Sequence, residues 1–371
     1  MSIINIEMIS FRNHNKTKLN FVEGLNIIWG ENGSGKTSVL EAIHSLSYGK
    51  SFRTNKTKEL IKSEEKEFII SGNFINKNKT NRISMSYDSK KQKKIKLNKN
   101  KIKTTKEMFG KNNMVVLSPE EQEITKGSFL KKRQFLNKMF SSFSNEYFNL
   151  LLKYNRQLKQ RNEALKIEKK KKSENYETVS TWDKPLSLTA EKLWGLRCLY
   201  VDNFKQVLNK TCLKYDKDIN IDIINNSKVK NTDEFILNLR KNFKNELFNG
   251  FTQIGPHKDE FDFLFNEKNI KYYGSEGEHK ISLILLKLSE LQLIEKETKQ
   301  KVILLIDDLF ATLDRGRSKK TMFLLQSLNK LKKEKTQTIV TTTDLLNLSD
   351  SGLNLKNTNT KTYHLERGCR V

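Results

Sequence analysis

The stretch Gly30-Glu31-Asn32-Gly33-Ser34-Gly35-Lys36-Thr37 meets every fixed position of the phosphate-binding pattern G-x-x-x-x-G-K-[ST]. Its glycines allow the backbone to close around phosphate oxygens with no Cβ in the way. Lys36 is spaced to reach the β- and γ-phosphates of a nucleoside triphosphate, and the Thr37 hydroxyl to ligate Mg²⁺. A second group of chemically able residues is Asp307-Asp308, directly after the apolar run Val302-Ile303-Leu304-Leu305-Ile306. An α/β sheet places its ligand at the carboxyl ends of its strands. There Asp307 would hold Mg²⁺ and Asp308 would polarise the attacking water. The third group, Gly274-Ser275-Glu276-Gly277-Glu278, is another candidate helix N-terminus for phosphate. One chain has little use for two such termini on one phosphate set. Two chains do: the serine-glycine turn of one would close over the γ-phosphate held by Gly30–Thr37 of the other.

These residues need particular elements to hold them. Leu25-Asn26-Ile27-Ile28-Trp29 reads as a buried strand entering the loop. The residues after Thr37 read as a helix with Leu40, Ile43 and Leu46 on one face and Gly49 as its cap. Ser275 to Ile294 is helical, and Gln337 to Thr343 is a β-branched strand. Lys36 and Asp307 stand 271 residues apart, and the intervening chain changes character twice. From Phe68 to Ile102, short runs separated by Asn, Lys and Asp turns predict an antiparallel sheet. Lys90 to Lys106 carries nine lysines in seventeen residues. That suits either a phosphate-contacting ribbon or a solvated edge guarded by lysine. From Lys131, Phe135, Leu136, Met139, Phe140, Phe143, Tyr147, Tyr154 and Leu158 recur at helical spacing, with a break near Ser141-Ser142. The period returns from Leu188 to Leu208, which makes either a two-helix arm or a plain bundle. The elements read as α/β over residues 1–125 and 250–371, with 126–249 mainly helical.

With 36% hydrophobic residues the chain can fill a core. No apolar run approaches the ~20 residues of a membrane span. Three cysteines, Cys198, Cys212 and Cys369, are too scattered for a disulfide framework or a zinc site. A cytoplasmic protein is expected. The net charge of +26 draws polyanions, nucleic acid first among them. Lysine in excess of arginine, with only 3 prolines, is equally what an AT-rich coding bias imposes on a surface.

Other segments, in order, make a more specific pattern. They are Phe11-Arg12-Asn13, Leu40-Glu41-Ala42-Ile43, Ser51-Phe52-Arg53, Ser118-Pro119-Glu120, Leu158-Lys159-Gln160-Arg161-Asn162, Gly255-Pro256-His257-Lys258-Asp259, Tyr273-Gly274-Ser275-Glu276-Gly277, Leu313-Asp314 and Thr341-Thr342-Thr343-Asp344. With the phosphate loop and the paired acids, they resemble the RecF family, which is similar to SMC-type ABC ATPase heads with a short arm. The resemblance covers nearly the whole chain. It implies an ABC-type ATPase head, a P-loop core of mixed sheet plus an antiparallel sheet, with an inserted helical arm. ATP and Mg²⁺ are the implied cofactors. ATP would be contacted by Gly30 to Ser38 and by Arg12. Lys36, Asp308 and Thr343 would be catalytic, and Thr37 and Asp307 would hold Mg²⁺. Ser275, Gly277 and Glu278 would form a signature acting in trans, and Leu313-Asp314 a dimer-coupling D-loop.

The resemblance further implies DNA repair and replication restart. The chain would bind single-stranded DNA and gapped duplex without sequence preference and help load recombinase with RecO- and RecR-type partners. ATP would close a homodimer, and slow, DNA-dependent hydrolysis would release it. Arg53, Arg156, Lys159, Arg161, His257 and Lys258 are candidate DNA contacts. A solvated helix face explains the arm residues as well, and a turn explains His257 as well. The sequence departs from the family at Glu278, His279, Lys280, Lys132, Asn137 and Gln122, which bears on dimer strength and hydrolysis rate. A carboxylate at Glu278 would repel a triphosphate unless it faces away. The alternatives are a transporter-like nucleotide-binding subunit and a basic DNA-binding protein with a decayed ATPase.

Overall fold

The computed structural model describes every residue except 77, 78, 91, 109, 174, 228–230, 310–312, 331–335, 344, 346–358 and 371. Lys91 of the lysine-rich run and Asp344 lie outside the described residues. In chain order the strands begin with β1 (Ser2–Phe11), β2 (His14–Asn20), β3 (Leu25–Trp29), β4 (Glu67–Asn76) and β5 (Lys79–Asp88). Next come β6 (Lys93–Leu97), β7 (Asn100–Lys101), β8 (Met114–Leu117), β9 (Ile221–Asn225) and β10 (Phe261–Phe265). The last are β11 (Lys268–Asn269), β12 (Ile303–Asp307), β13 (Thr338–Thr342), β14 (Thr360–Glu366) and β15 (Cys369–Arg370). The helices are α1 (Lys36–Tyr48), α2 (Glu123–Lys126), α3 (Phe129–Phe143), α4 (Asn145–Lys171), α5 (Tyr176–Ser180) and α6 (Asp183–Tyr215). They continue with α7 (Thr232–Lys241), α8 (Phe243–Asn249), α9 (Ile270–Tyr273), α10 (Glu276–Thr298) and α11 (Arg315–Lys330).

The first compact unit comprises Met1–Gln122, Thr211–Asp218 and Ser275–Val371. Its central sheet runs β15-β14-β3-β13-β12-β8, parallel but for β15. β12 and β13 are buried along their whole length, which is why, Asp307 aside, they are apolar or β-branched rather than alternating. A second sheet, β2-β1-β4-β5-β6-β7, is antiparallel, and β1 alternates as a half-buried strand should. α1 packs on both sheets, touching β1, β4 and β5 as well as β12 and β13. Its apolar residues join one core with Phe11, Phe68, Leu305 and Tyr363. Gln337 also ties the sheets: its amide accepts from the Ile3 N–H at 2.7 Å and donates to the Ile3 and Val22 carbonyls. α1 ends where expected, with Gly49 left-handed and its N–H on the Ser45 carbonyl.

The second unit comprises Glu123–Lys210 and Ile219–Gly274. Residues 250–274 thus belong with the helices rather than with the core expected at 250–371. The cause is strand pairing: β10 and β11 join β9 in a three-stranded sheet. The expected helical break falls at Ser144, which closes α3 and caps α4 by accepting from the Tyr147 N–H at 3.1 Å. Inside this unit Arg161 is fully buried, donating to Asp183 at 2.7 Å, Glu246 at 2.6 Å and Thr252 at 2.8 Å. Paired buried charge of this kind leaves a costly orphan if one partner is removed. Among the described residues no helix is long and apolar enough to cross a membrane.

Candidate nucleotide site

The strand β3 delivers the chain into the phosphate loop, and Gly35 turns it into α1. Gly35 has φ 101°, a left-handed conformation that side chains disfavour, and a Cβ there would lie 2.6 Å from His14 Nε2. The turn after β1 supports the loop from below. Asn13 Nδ2 donates to the Gly33 carbonyl at 2.8 Å, and His14 Nε2 lies 3.1 Å from the Gly35 carbonyl. Burial holds the His14 imidazole below its usual pKa, so it stays neutral under the loop.

Lys36 is buried, and its Nζ donates to the Gly30 and Glu31 carbonyls at 2.7 and 2.8 Å. Thr37 Oγ1 donates to Asp307 Oδ1 at 2.9 Å, a bond across 270 residues of chain. Asp307 also accepts from Thr341 Oγ1 at 2.6 Å. Asp308 follows in a left-handed conformation, φ 44°, and its Oδ1 is buried with no hydrogen-bond partner among the described residues. An orphaned carboxylate oxygen in a cleft asks for a ligand, a water or a chemical role. Burial pushes the carboxyls of both acids above the ordinary aspartate value, opposed at Asp307 by the Thr341 and Thr37 hydroxyls and at Asp308 by Lys36, and it lowers the Lys36 ammonium against the pull of Asp308 and Asp307.

Arg12, Asn32, Gly33, Gly35, Lys36, Thr37, Ser38, Arg53 and Asp308 line one open cleft of about 510 Å³. Gly30, Glu31, Ser34 and Asp307 are not among its lining residues. Arg12 reaches the cleft fixed by a two-pronged bond to the fully buried Glu41, at 2.8 and 2.7 Å, with Nη1 donating to the Glu59 carbonyl. Thr343 sits half-buried beside Asp308 and supports its carboxylate through the backbone. Among the described residues no cluster of three His, Cys, Asp or Glu could hold a metal. A Mg²⁺ ion would need fewer protein ligands, one carboxylate and a hydroxyl with waters and phosphate oxygens. Sequence reasoning gave no site role to Asn13, His14, Glu41 or Thr341, although all but His14 fall in segments of the family pattern. A further signal for the first two was the turn Arg12-Asn13-His14 preceding the loop.

Ser275, Gly277 and Glu278 do not line this cleft. Ser275 caps α10, and Glu278 bends back on it. The Glu278 carboxylate accepts from the Ser275 N–H at 2.7 Å while the Glu278 N–H donates to Ser275 Oγ at 3.3 Å. This reciprocal box is the stated exception to repulsion: the carboxylate is bonded to its own helix end. The Arg317 guanidinium lies against Gly277 and is itself held by Asp314, whose carboxylate also accepts from the Arg317 N–H at 2.9 Å. Leu313 is half-buried next to it.

The candidate DNA contacts separate. Arg156, Lys159 and Lys258 are exposed. Arg53 lines the nucleotide cleft and pairs with Glu120 at 3.2 Å. Arg161 is no surface contact, because Asp183 and Glu246 draw it into the interior of the second unit. His257 has a structural place too. Its Nδ1 meets the Tyr154 hydroxyl at 2.7 Å and its Nε2 the Thr252 carbonyl at 3.0 Å. Burial, reinforced by Lys258 and Arg133, lowers its pKa from 6.5 to about 4. The unfolded chain therefore binds a proton that the folded one refuses. Stability is full above pH 6.5 and falls as the pH drops from 6.5 towards 4, by roughly 3 kcal/mol at most. Urea melts at pH 7, 5.5 and 4.5 are expected to show this slope, reduced in His257→Asn.

Residues 5–193 match the family model described as an AAA domain. The DNA replication and repair protein RecF of Caldanaerobacter subterraneus subsp. tengcongensis is 35% identical, over 84% of this chain and 87% of that protein. The protein of the same name from Clostridium novyi is 31% identical over 94% and 95%. The solved structure of the recombination mediator protein RecF with ATP, in the RecFOR pathway, superposes with a TM-score of 0.84 at 30% identity, covering 100% of this chain and 96% of that one. An Smc head bound to the C-terminal winged-helix domain of ScpA shares the fold, with a TM-score of 0.58 at 15% identity, covering 100% and 96%. With two sheets gripping α1, a phosphate loop tied to the acids of β12, and this likeness along nearly its whole length, the chain belongs to the RecF family, whose fold an Smc head shares.

Proposed function

We propose that the chain is an ATP-switched DNA-binding protein of recombinational repair and replication restart. The observation that carries the reading is the Thr37–Asp307 bond beside the orphaned Asp308 Oδ1, in a cleft lined by Lys36. Lys36 would exchange its two loop carbonyls for the β- and γ-phosphates. Thr37 and Asp307 would hold Mg²⁺, which when bound supplies positive charge against the phosphate oxygens. Asp308 would accept a hydrogen bond from the attacking water and take its proton as ATP is cleaved to ADP and phosphate. Arg12, fixed by Glu41, would hold its guanidinium at the same cleft.

The signature residues would act on a second copy. The head of α10 would turn the Gly277 backbone N–H towards the γ-phosphate held by a partner's loop, while Ser275 and Glu278 keep the helix start in shape, and Arg317 would couple Gly277 to the D-loop Asp314. ATP would thereby close a homodimer that grips single-stranded and gapped duplex DNA through its lysines, with RecO- and RecR-type proteins as partners. Sedimentation with and without ATP tests the composite site: the wild type is expected to dimerise with ATP and Ser275→Arg to stay monomeric. Binding to gapped duplex is expected to tighten with ATP, and binding that ignores nucleotide would sink the switch.

The capping role of Glu278 removes the motive for a decayed ATPase and makes its own prediction. Glu278→Gln is expected to change ATP-driven dimerisation less than threefold. Glu278→Ala loses half the box and about 1 kcal/mol of helix stability, read as a lower melting temperature. A tenfold gain in dimerisation with glutamine would restore the repelling charge.

A further inference from the structure

We infer that Thr341 is the positioning residue for both acids of the site, acting through its hydroxyl and not through its bulk. The inference rests on the ATP reading above and goes beyond it, since neither acid alone specifies what holds it. Thr341 is 1% exposed on a strand buried from end to end, where the valine that precedes it would fill the space at no polar cost. A buried hydroxyl is expensive unless fully bonded, and this one is. Its oxygen accepts from the Asp308 N–H at 3.1 Å, and its proton goes to Asp307 Oδ1 at 2.6 Å. A further contact, to the Ile306 carbonyl, is long at 3.5 Å. A hydroxyl has one proton, and the shorter bond claims it.

Two consequences follow for the site. Asp307 Oδ1 accepts two hydroxyl hydrogen bonds, from Thr37 and Thr341, which fixes its rotamer. By donating its proton there, Thr37 keeps its lone pairs for the cleft. Asp308, for its part, sits at φ 44°, a conformation that costs an aspartate of order 1 kcal/mol or more. Thr341 supplies both acceptors that hold the Asp308 N–H in it, the hydroxyl and the backbone carbonyl at 3.2 Å. One side chain thus sets the metal-holding acid and the adjacent backbone twist that aims the second acid at Lys36.

The test compares Thr341→Val, which keeps the shape and loses the hydroxyl, with Thr341→Ser, which does the reverse. ATP affinity is measured by calorimetry in chelator and across a Mg²⁺ titration, and turnover alongside. In the valine variant, affinity in chelator is expected to stay within threefold of wild type. The Mg²⁺ needed for half-maximal tightening should rise about tenfold, and kcat should fall about 10–100-fold, the range for removing a group that orients a metal ligand. Serine should restore both to within threefold. If valine does not fold, Thr341→Ala carries the same expectation. A folded valine variant with wild-type Mg²⁺ dependence and kcat, or a serine variant as impaired as valine, overturns the inference while leaving the ATP reading intact. A wild type that binds no nucleotide overturns both.

Discussion

Lys36→Met is expected to weaken ATP binding at least 100-fold and to remove turnover, with the fold intact. The ammonium is the one buried cation in the loop, it donates two short bonds to the Gly30 and Glu31 carbonyls, and Lys36 itself lines the cleft. Those carbonyls keep the charge poised; they do not use it up. Each hydrogen bond to a charged group is worth about 1.5–3 kcal/mol, so losing two gives a hundredfold or more. Methionine preserves the apolar stem along α1, and water can replace the ammonium from the open cleft that Lys36 lines. Calorimetry with ATP and a thermal melt of the same sample separate binding from folding. Affinity within threefold of wild type would refute the nucleotide site outright. Nucleotide-free DNA binding should be unchanged, since Lys36 is not surface charge.

Asp308→Asn is expected to act at the other end of the cycle. Loss of a positioned general base typically costs 10²–10⁴-fold in rate. ATP affinity should hold or rise, because asparagine removes a negative charge from beside the triphosphate while its amide keeps the shape. The ATP-bound dimer should then accumulate, visible as a sedimentation shift that persists for hours after ATP is added. If turnover falls less than tenfold, the orphaned Asp308 Oδ1 is a structural acceptor and the base lies elsewhere. If affinity falls with turnover, Asp308 is holding the loop through Lys36.

Much of this site was legible before any coordinates. Gly30 to Thr37 is contiguous, and its conformation depends on residue types that few other turns share. Asp307-Asp308 ends an apolar run that has no other use than a buried strand. What the sequence concealed is who touches whom at long range. Glu278 looked like a charge in the wrong place, because nothing local distinguishes a carboxylate pointing at a ligand from one bonded to the N–H three residues earlier. Glu41 was hidden inside the helix of the loop, where a lone acid passes for a solvated position until Arg12 is seen to reach it from the turn after β1.

The sequence alone determined the fold class, the loop, the paired acids and the serine-glycine helix start, since each is a short-range pattern of backbone freedom, apolar period or capping. Only the tertiary structure decided which charges are surface and which hydroxyl bonds the paired acids. Arg156, Lys159 and Arg161 share one helix and one chemistry, yet the 100° step per residue turns Arg161 inward, where Asp183 and Glu246 wait. Thr341 and Thr343 differ by a single strand period, and Thr341 meets the acids because the parallel register of β12 and β13 sets it opposite Asp307. Register and helix rotation are fixed by the packing of whole elements, and no local stretch of sequence carries that information.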